Sequence, residues 1–337
     1  MNGPRVTIRD VARAAGVSPA AVSKVLNDGY GVSAAMREKV LHAVAELGYR
    51  PNAAARAMRG RSHTIGIVAD IRAPIVAQIT EGIEEELRDS SLDILLAPVG
   101  SDPERQRSSI DAMLNRKLDG LILIVPALTR TELETLGQSI PTVLIGRHGG
   151  GRQFDSVMDD DMAGAGLAVE HLVELGHERI SHIAMPMGDF RRPSVLPQTA
   201  REDGYVTAMR DHSLDPDVIT TDYSEAGGHT GGLAALRRAE PATAIFAGTD
   251  MVALGVLRAA HELGLRVPDD LSVVGADNLP VGALPQISLT TIDPAGKLNG
   301  STSARLLRER IDGRRNPVTH AITPTLVVRQ TTAPPKE

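Results

Sequence analysis

An all-α helix-turn-helix head joined to an α/β body of two doubly wound parallel-sheet subdomains is the fold class this sequence predicts. Three observations predict it. The first 62 residues are basic, with a net charge of +6, against −12 for the rest. That basic stretch breaks into short apolar-striped segments punctuated by glycine and proline. From Thr64 onward, apolar β-rich runs alternate with amphipathic helical stretches. At 337 residues the chain is also too long for a single compact core.

The helices of the head follow from local chemistry. Thr7 and Asp10 form a capping-box-like start, and Ile8, Val11, Ala12 and Ala15 make one apolar stripe. Gly16 stops that helix. Ser18 is a good N-cap, and Pro19 stands at the first helical position, where its missing N–H costs nothing. Val22, Val25 and Leu26 form the buried face of the second helix, leaving Ala20, Ala21, Ser23, Lys24 and Asn27 on its other faces. A third helix starts at Ser33 and runs through Val40, Leu41, Val44 and Leu47 to Gly48. Two short helices around a glycine turn make a helix-turn-helix, whose second helix enters the major groove. A short helix capped by Asn52 comes next, about seven residues long and too short to hold alone in water.

The strings Val6-Thr-Ile-Arg-Asp-Val-Ala, Ala15-Gly-Val-Ser, Val22-Ser-Lys-Val-Leu-Asn, Val32-Ser, Arg37-Glu-Lys-Val, Leu47-Gly-Tyr and Pro51-Asn-Ala-Ala-Ala-Arg stand in one order. Residues 5–62 thereby resemble the DNA-binding head of the lactose repressor (LacI/GalR) family. The resemblance implies that Pro19 and Ala20 fill base-reading slots, that Lys24 faces the groove, and that Ser23 and Asn27 touch bases or phosphates. Thr7, Ser18, Asn52 and Ala55 join the DNA-binding set. It also implies that residues 52–60 are a hinge helix that folds on operator DNA, with Met58 where relatives insert a leucine wedge. Methionine is apolar, of similar volume, and able to kink a base step.

The body reads as two α/β units. Apolar runs Thr64–Ala69, Asp93–Pro98, Leu121–Val125 and Thr142–Ile145 alternate with helical stretches in the first. The second opens with a helix over 163–175 and strands over 180–185, 218–221, 244–247 and 271–275. Near-continuous apolar strands between helices mean parallel sheets covered on both faces, with a cleft at their carboxyl ends. Gly166 through Ile183, Thr249-Asp250, Val273-Val-Gly-Ala-Asp277 and Leu289-Thr-Thr-Ile292 resemble the effector domain of the same family, itself similar to periplasmic sugar-binding proteins. The pattern implies a head at 1–50, a hinge and linker at 51–62, a first subdomain at 63–161 and 293–323, a second at 162–292 and 324–330, and a disordered tail at 331–337.

The resemblance also carries cleft positions. Arg201 matches an arginine that grips ligand oxygens, and Asp277 a carboxylate that accepts hydroxyls from the other wall. Asp70, Arg147, Thr249 and Asp250 follow strands, and Phe190 could stack on a sugar ring. Gly146 stands where relatives often carry aspartate, so a carboxylate contact there is in doubt. Asp250 has a second reading as a helix cap, and Phe190 as core.

Other classes fail on residues. With no cysteine, disulfides, zinc ribbons and thiol catalysis are excluded. His148-Gly-Gly-Gly151 resembles an oxyanion loop, but no Gly-x-Ser-x-Gly elbow accompanies it, so it reads as a flexible loop. Gly164-Ala-Gly166 lacks the third glycine of a dinucleotide fingerprint. His171, His177 and His182 lack metal-ligand spacing, and His177 reads as a charged end to its helix. A transported-solute receptor needs export, yet a basic helix-turn-helix stands where a signal peptide would be. The expectation is a cytoplasmic repressor, not an enzyme. It would need no metal or cofactor, bind palindromic operator DNA as a homodimer, and answer to a sugar-type effector. No heptad run follows Gln330, so a dimer rather than a tetramer is expected.

Overall fold

A computed structural model of the chain describes residues 6–26, 31–49, 62–100, 102–186 and 196–336. It divides into two compact units, Met1–Ser62 and His63–Glu337.

The first unit holds α1 (Ile8–Ala15), α2 (Pro19–Leu26) and α3 (Ala34–Leu47). The Asp10 carboxylate accepts hydrogen bonds from Thr7 N at 2.9 Å and Thr7 Oγ1 at 2.6 Å at the start of α1. Gly16, at φ 66°, turns the chain out of that helix in a conformation that suits glycine. Ser18 Oγ accepts from Ala21 N at 3.1 Å and Ser33 Oγ from Met36 N at 3.3 Å, so both later helices start on a serine cap. Val11, Ala12, Val22, Val25, Val40 and Ala43 make the core. Leu41, expected inside, is 48% exposed. The helical stripe runs through 40, 43, 44 and 47 and leaves position 41 facing away.

The second unit begins with β1 (Thr64–Ala69), α4 (Ile75–Leu87), β2 (Asp93–Pro98), α5 (Pro103–Asn115), β3 (Gly120–Ile124), α6 (Arg130–Ser139), β4 (Thr142–Ile145) and β5 (Asp155–Asp159). Then come α7 (Asp161–Glu174), β6 (Ile180–Ala184), α8 (Pro197–Asp211), β7 (Asp217–Thr220), α9 (Glu225–Leu236), β8 (Ala244–Ala247), α10 (Asp250–Glu262), β9 (Ser272–Ala276), a 3₁₀ turn at Pro280–Ala283 and β10 (Thr290–Asp293). The chain ends in α11 (Gly296–Ile311), β11 (Thr319–Ile322) and β12 (Thr325–Val327). The strands form two sheets, ordered β11-β5-β4-β3-β1-β2 and β12-β10-β9-β8-β6-β7. Every pairing is parallel except β10 with β12. The chain therefore passes between the two sheets three times: after β5, after β10 and between β11 and β12.

Each sheet is buried on both faces by its own pair of apolar clusters, which explains why most strands read as unbroken apolar runs. The edge strand β2 differs: its Leu95 and Leu96 are 37% and 40% exposed. Strand β5 was not legible as a strand, because its Asp155 and Asp159 ends interrupt the apolar signal. Residues 331–336, expected to be a disordered tail, are pinned to the second sheet. Thr331 is 3% exposed and its hydroxyl donates to Val273 O at 2.7 Å, while Ala333 N donates to Ser272 Oγ at 3.0 Å. Polar threonine and proline hide this from a hydropathy reading, since main-chain and hydroxyl bonds do the holding.

Helices α4 and α11 cross where both carry glycine. A Cβ at Gly300 would stand 2.0 Å from Ile79 O, and one at Gly82 would stand 2.0 Å from Lys297 O. No flexible side chain is available to yield there. Gly300→Ala is expected to cost about 1–3 kcal/mol, as overpacking does. A thermal melt of the variant should show a drop of several degrees, and an unchanged midpoint would mean the helices can part freely.

Candidate functional sites: an exposed helix start and a carboxylate-lined cleft

In the first unit, the serine cap and the buried Val22 and Val25 orient α2 so that its opposite side meets solvent. Ser18, Pro19, Ala20 and Lys24 are exposed, Ser23 is half-buried, and Thr7 is exposed at the start of α1. Ala20, Ser23 and Lys24 stand at i, i+3 and i+4 and so share one face. This surface has a small apolar lead, a hydroxyl and one cation, suited to lie against base edges and phosphates. Asn27, Asn52, Ala55 and Met58 lie outside the described residues.

In the second unit, the ends of β5 and β9 and the start of α7 meet α8 around a narrow cavity. Asp159, Asp161, Arg201, Phe246, Asp277 and Pro294 are among its lining residues. Arg201 is buried. Its Nη2 donates to Asp161 Oδ1 at 2.7 Å and its Nη1 to the carbonyl of Gly248. Burial works against the charged guanidinium, but Asp161, Tyr223, Asp277 and Asp159 outweigh it and hold its pKa above the ordinary value. Asp277 is 6% exposed and its carboxylate carries no hydrogen bond among the described residues. Burial raises its pKa well above the carboxylate range. Its φ of 110° is costly for a residue with a Cβ, a strain often kept where a side chain must be aimed. Burial, reinforced by neighbouring Asp161, pushes Asp159 up to about 7. Such a pocket offers one guanidinium and several carboxyls that hold or share protons, chemistry that fits hydroxyl groups better than anions.

Of the residues singled out from sequence, the structure brings Arg201 and Asp277 together in this cavity. Asp250 lies just behind it and is committed to structure: its carboxylate accepts from Leu279 N at 2.6 Å and Thr291 Oγ1 at 2.5 Å. Burial raises its pKa to about 6. It is not the helix cap, because Thr249 Oγ1 accepts from Val252 N at 3.2 Å and takes that role. Asp70 pairs with Arg72, its Oδ1 accepting from Nε at 2.9 Å. Arg147 Nη1 donates to Pro126 O and Leu128 O at 2.9 and 2.8 Å. Asp70, Arg147 and Thr249 therefore have other partners and are absent from the cavity wall. Phe190 lies outside the described residues. Asp159 and Asp161 were missed, and the one signal for them was the triplet Asp159-Asp160-Asp161, which by itself reads as helix capping. Asp160 does cap, accepting from Ala163 N at 3.0 Å.

His177 is not a charged helix end. It is buried, it contacts Thr243 Oγ1, Ser272 Oγ and Ala333 O at 2.9 Å each, and burial lowers its pKa. His182 lies between Tyr205 and Phe246, at ring-centroid distances of 5.0 and 4.8 Å, and burial lowers its pKa to about 4.

A helix-turn-helix in one unit and a two-sheet ligand fold in the other define a ligand-responsive DNA-binding regulator. Residues 7–52 match bacterial regulatory proteins of the lacI family, and residues 169–332 match a periplasmic binding protein-like domain. The chain is 34% identical over 329 residues to the ribose operon repressor of Halalkalibacterium halodurans, covering 97% of each chain. It is 33% identical over 308 residues to catabolite control protein A of Priestia megaterium, covering 90% of this chain and 91% of that one. Among solved structures, the lac repressor dimer bound to operator and the anti-inducer ONPF superposes with a TM-score of 0.82 at 29% identity, covering 98% of this chain and 100% of that one. The chain belongs to the lacI family of bacterial regulatory proteins.

Proposed function

We propose that this chain is a cytoplasmic transcriptional repressor that binds a palindromic operator as a homodimer and is controlled by a small sugar-type effector. The observation that carries the reading is the pairing, in one chain, of an exposed basic α2 with a cleft where Arg201 and Asp277 line one cavity. Pro19, Ala20, Ser23 and Lys24 read bases and phosphates, with Thr7 and Ser18 at the helix starts. Proline and alanine offer only apolar contact, so Lys24 carries much of the hydrogen-bonded readout. Asn27, Asn52 and Ala55 add DNA contacts, and Met58 acts as the wedge of the hinge. In the cleft, Arg201 forks onto ligand oxygens and Asp277 hydrogen-bonds hydroxyls, Phe190 stacks on the ring, and Asp250 braces the wall from behind through Leu279 and Thr291. Dimer formation is supported by Leu95, Leu96 and Leu284, which one chain leaves exposed. The sugar class is supported by the name of the ribose operon repressor among relatives. Among the described residues, no helix is long and apolar enough to cross a membrane.

The test is a truncation. Residues 63–337 expressed alone should melt later with ribose or another sugar from a screen, yet lose operator binding. Binding of operator by this fragment as tightly as by the full chain would overturn the division of labour.

A further inference from the structure

The glycine-rich loop after β4 has no part in the reading above. The structure shows it braced. Arg130 Nη2 donates to Gly150 O at 2.8 Å, a Cβ at Gly150 would stand 2.3 Å from Thr319 Oγ1, and one at Gly151 would strike the Phe154 ring. The loop links β4 to β5, both in the first sheet, and it delivers His148 to α7, which packs with α8 on the second sheet. His148 Nε2 lies 2.9 Å from Asp161 Oδ2, while Asp161 Oδ1 accepts from Arg201 at 2.7 Å. The Asp161 side chain is 1% exposed, so one desolvated carboxylate is gripped by a side chain from each subdomain. Asp161 opens α7, which packs with α8, so the Asp161–Arg201 pair belongs to the second subdomain, one residue earlier than the boundary the sequence pattern implied. The His148 contact ties that pair to the loop after β4 of the first. A second bridge spans the same cleft: Gln78 Nε2, on α4, donates to Asp277 O at 3.1 Å and Asn278 O at 3.3 Å.

We propose that His148 is a closure-sensing positioning residue of the effector cleft: it latches Asp161 when the subdomains close and completes that carboxylate's hold on Arg201. The proposal rests on the reading of this cleft as the effector site. It makes closure proton-linked. His148 faces Asp161, Asp159 and Asp160, with Arg201 behind Asp161. The hydrogen bond to Asp161 raises its pKa against the opposing effect of burial. A histidine raised in the closed form favours closure below its open-form pKa, and that advantage is lost as pH rises through the raised value. Asp159, raised to about 7 by burial, acts in the same direction, so variants must separate the two.

The chain contains no cysteine, so Gln138→Cys and Ala239→Cys place one spin label on each subdomain without background. Full-length labelled chain is diluted into unlabelled protein, and label distances are measured at about pH 6 and about pH 8.5, on either side of the histidine range. The closed population should fall roughly 5-fold in ratio at the higher pH, the lower end of common coupling strengths. His148→Gln should lose most of that response, and Asp159→Asn should keep a large part of it. Identical distance distributions at both pH values in the unsubstituted labelled chain would overturn the proposal, as would a full pH response in His148→Gln. Sugar-induced melting shifts read the effector assignment separately. A pH-driven closure that depends on His148 but comes with no sugar response would leave the latch standing and sink the effector reading. The converse would sink the latch alone.

Discussion

Arg201→Ala is expected to abolish effector control and to weaken the fold in the same step. Each charge-assisted contact from the guanidinium to a ligand oxygen contributes about 1.5–3 kcal/mol, so losing them should lower effector affinity roughly 10- to 100-fold or more. The same deletion strips buried Asp161 of its partner at 2.7 Å, and breaking a buried pair costs about 3–5 kcal/mol. Arg201→Lys separates the two effects. Lysine keeps a cation near Asp161 but loses the planar fork that holds two oxygens. Calorimetric titration with a sugar that stabilises the parent protein should show the affinity loss in both variants, with the large stability loss confined to alanine. Normal effector affinity in Arg201→Lys would mean that the fork does not contact the ligand.

Asp155→Ala should be the most damaging single change away from the cleft. Asp155 is fully buried at the start of β5, where its Oδ2 takes Arg314 Nη2 at 2.5 Å and its Oδ1 takes Val318 N at 2.8 Å. Arg310 Nη2 approaches Oδ1 at 2.9 Å as an ion pair rather than an aligned hydrogen bond, and Arg310 is itself 6% exposed on its side chain. Burial alone would raise the pKa of Asp155, but Arg314, Arg310 and Val318 overcome it and hold it below the ordinary value. Removing this carboxylate leaves the deeply buried Arg310 guanidinium without its counter-charge and half-buried Arg314 with Glu309 alone, at 2.9 Å, at a cost of about 3–5 kcal/mol. The pKa is lowered in the folded state, so the stabilisation is present above the unfolded value and disappears as pH falls through the folded one. Denaturant titration of Asp155→Ala at neutral pH should show the loss, and the gap to the parent protein should shrink in acid. A loss under about 1 kcal/mol would mean that the two arginines find water or other partners.

The capping serines, the two glycine stops and the alternation of apolar runs with helices are local signals. Ser18, Ser33, Gly16 and Gly48 could therefore be read one at a time. What escaped reading depends on partners far away in the chain. Strand β5 is held at its start by Arg310 and Arg314 of a segment that the sequence places some 155 residues later. The segment 331–336 looks polar and unpatterned, yet Thr331 and Ala333 bond to β9. The charge of His177 fits a helix end on paper, but the tail and two hydroxyls enclose it. In the cleft, Arg201 and Asp277 were legible through resemblance. Asp161 was not, because an acidic residue in a helix's first turn satisfies local rules without a ligand. His148 was visible only as part of a glycine-rich loop, and its meaning appears once the two subdomains face each other.

The central claim is that one small molecule in this cleft changes the grip of the head on its own DNA. The direct measurement is a pair of full-length titrations against a labelled operator duplex, with and without a saturating sugar found by melting shift, repeated on random duplex and across salt. The account predicts a change in operator affinity of roughly 5- to 150-fold with the sugar. Binding to random duplex, driven by phosphate contacts and steeply salt-dependent, should move far less. Operator affinity that stays the same under every sugar that stabilises the protein would contradict the account.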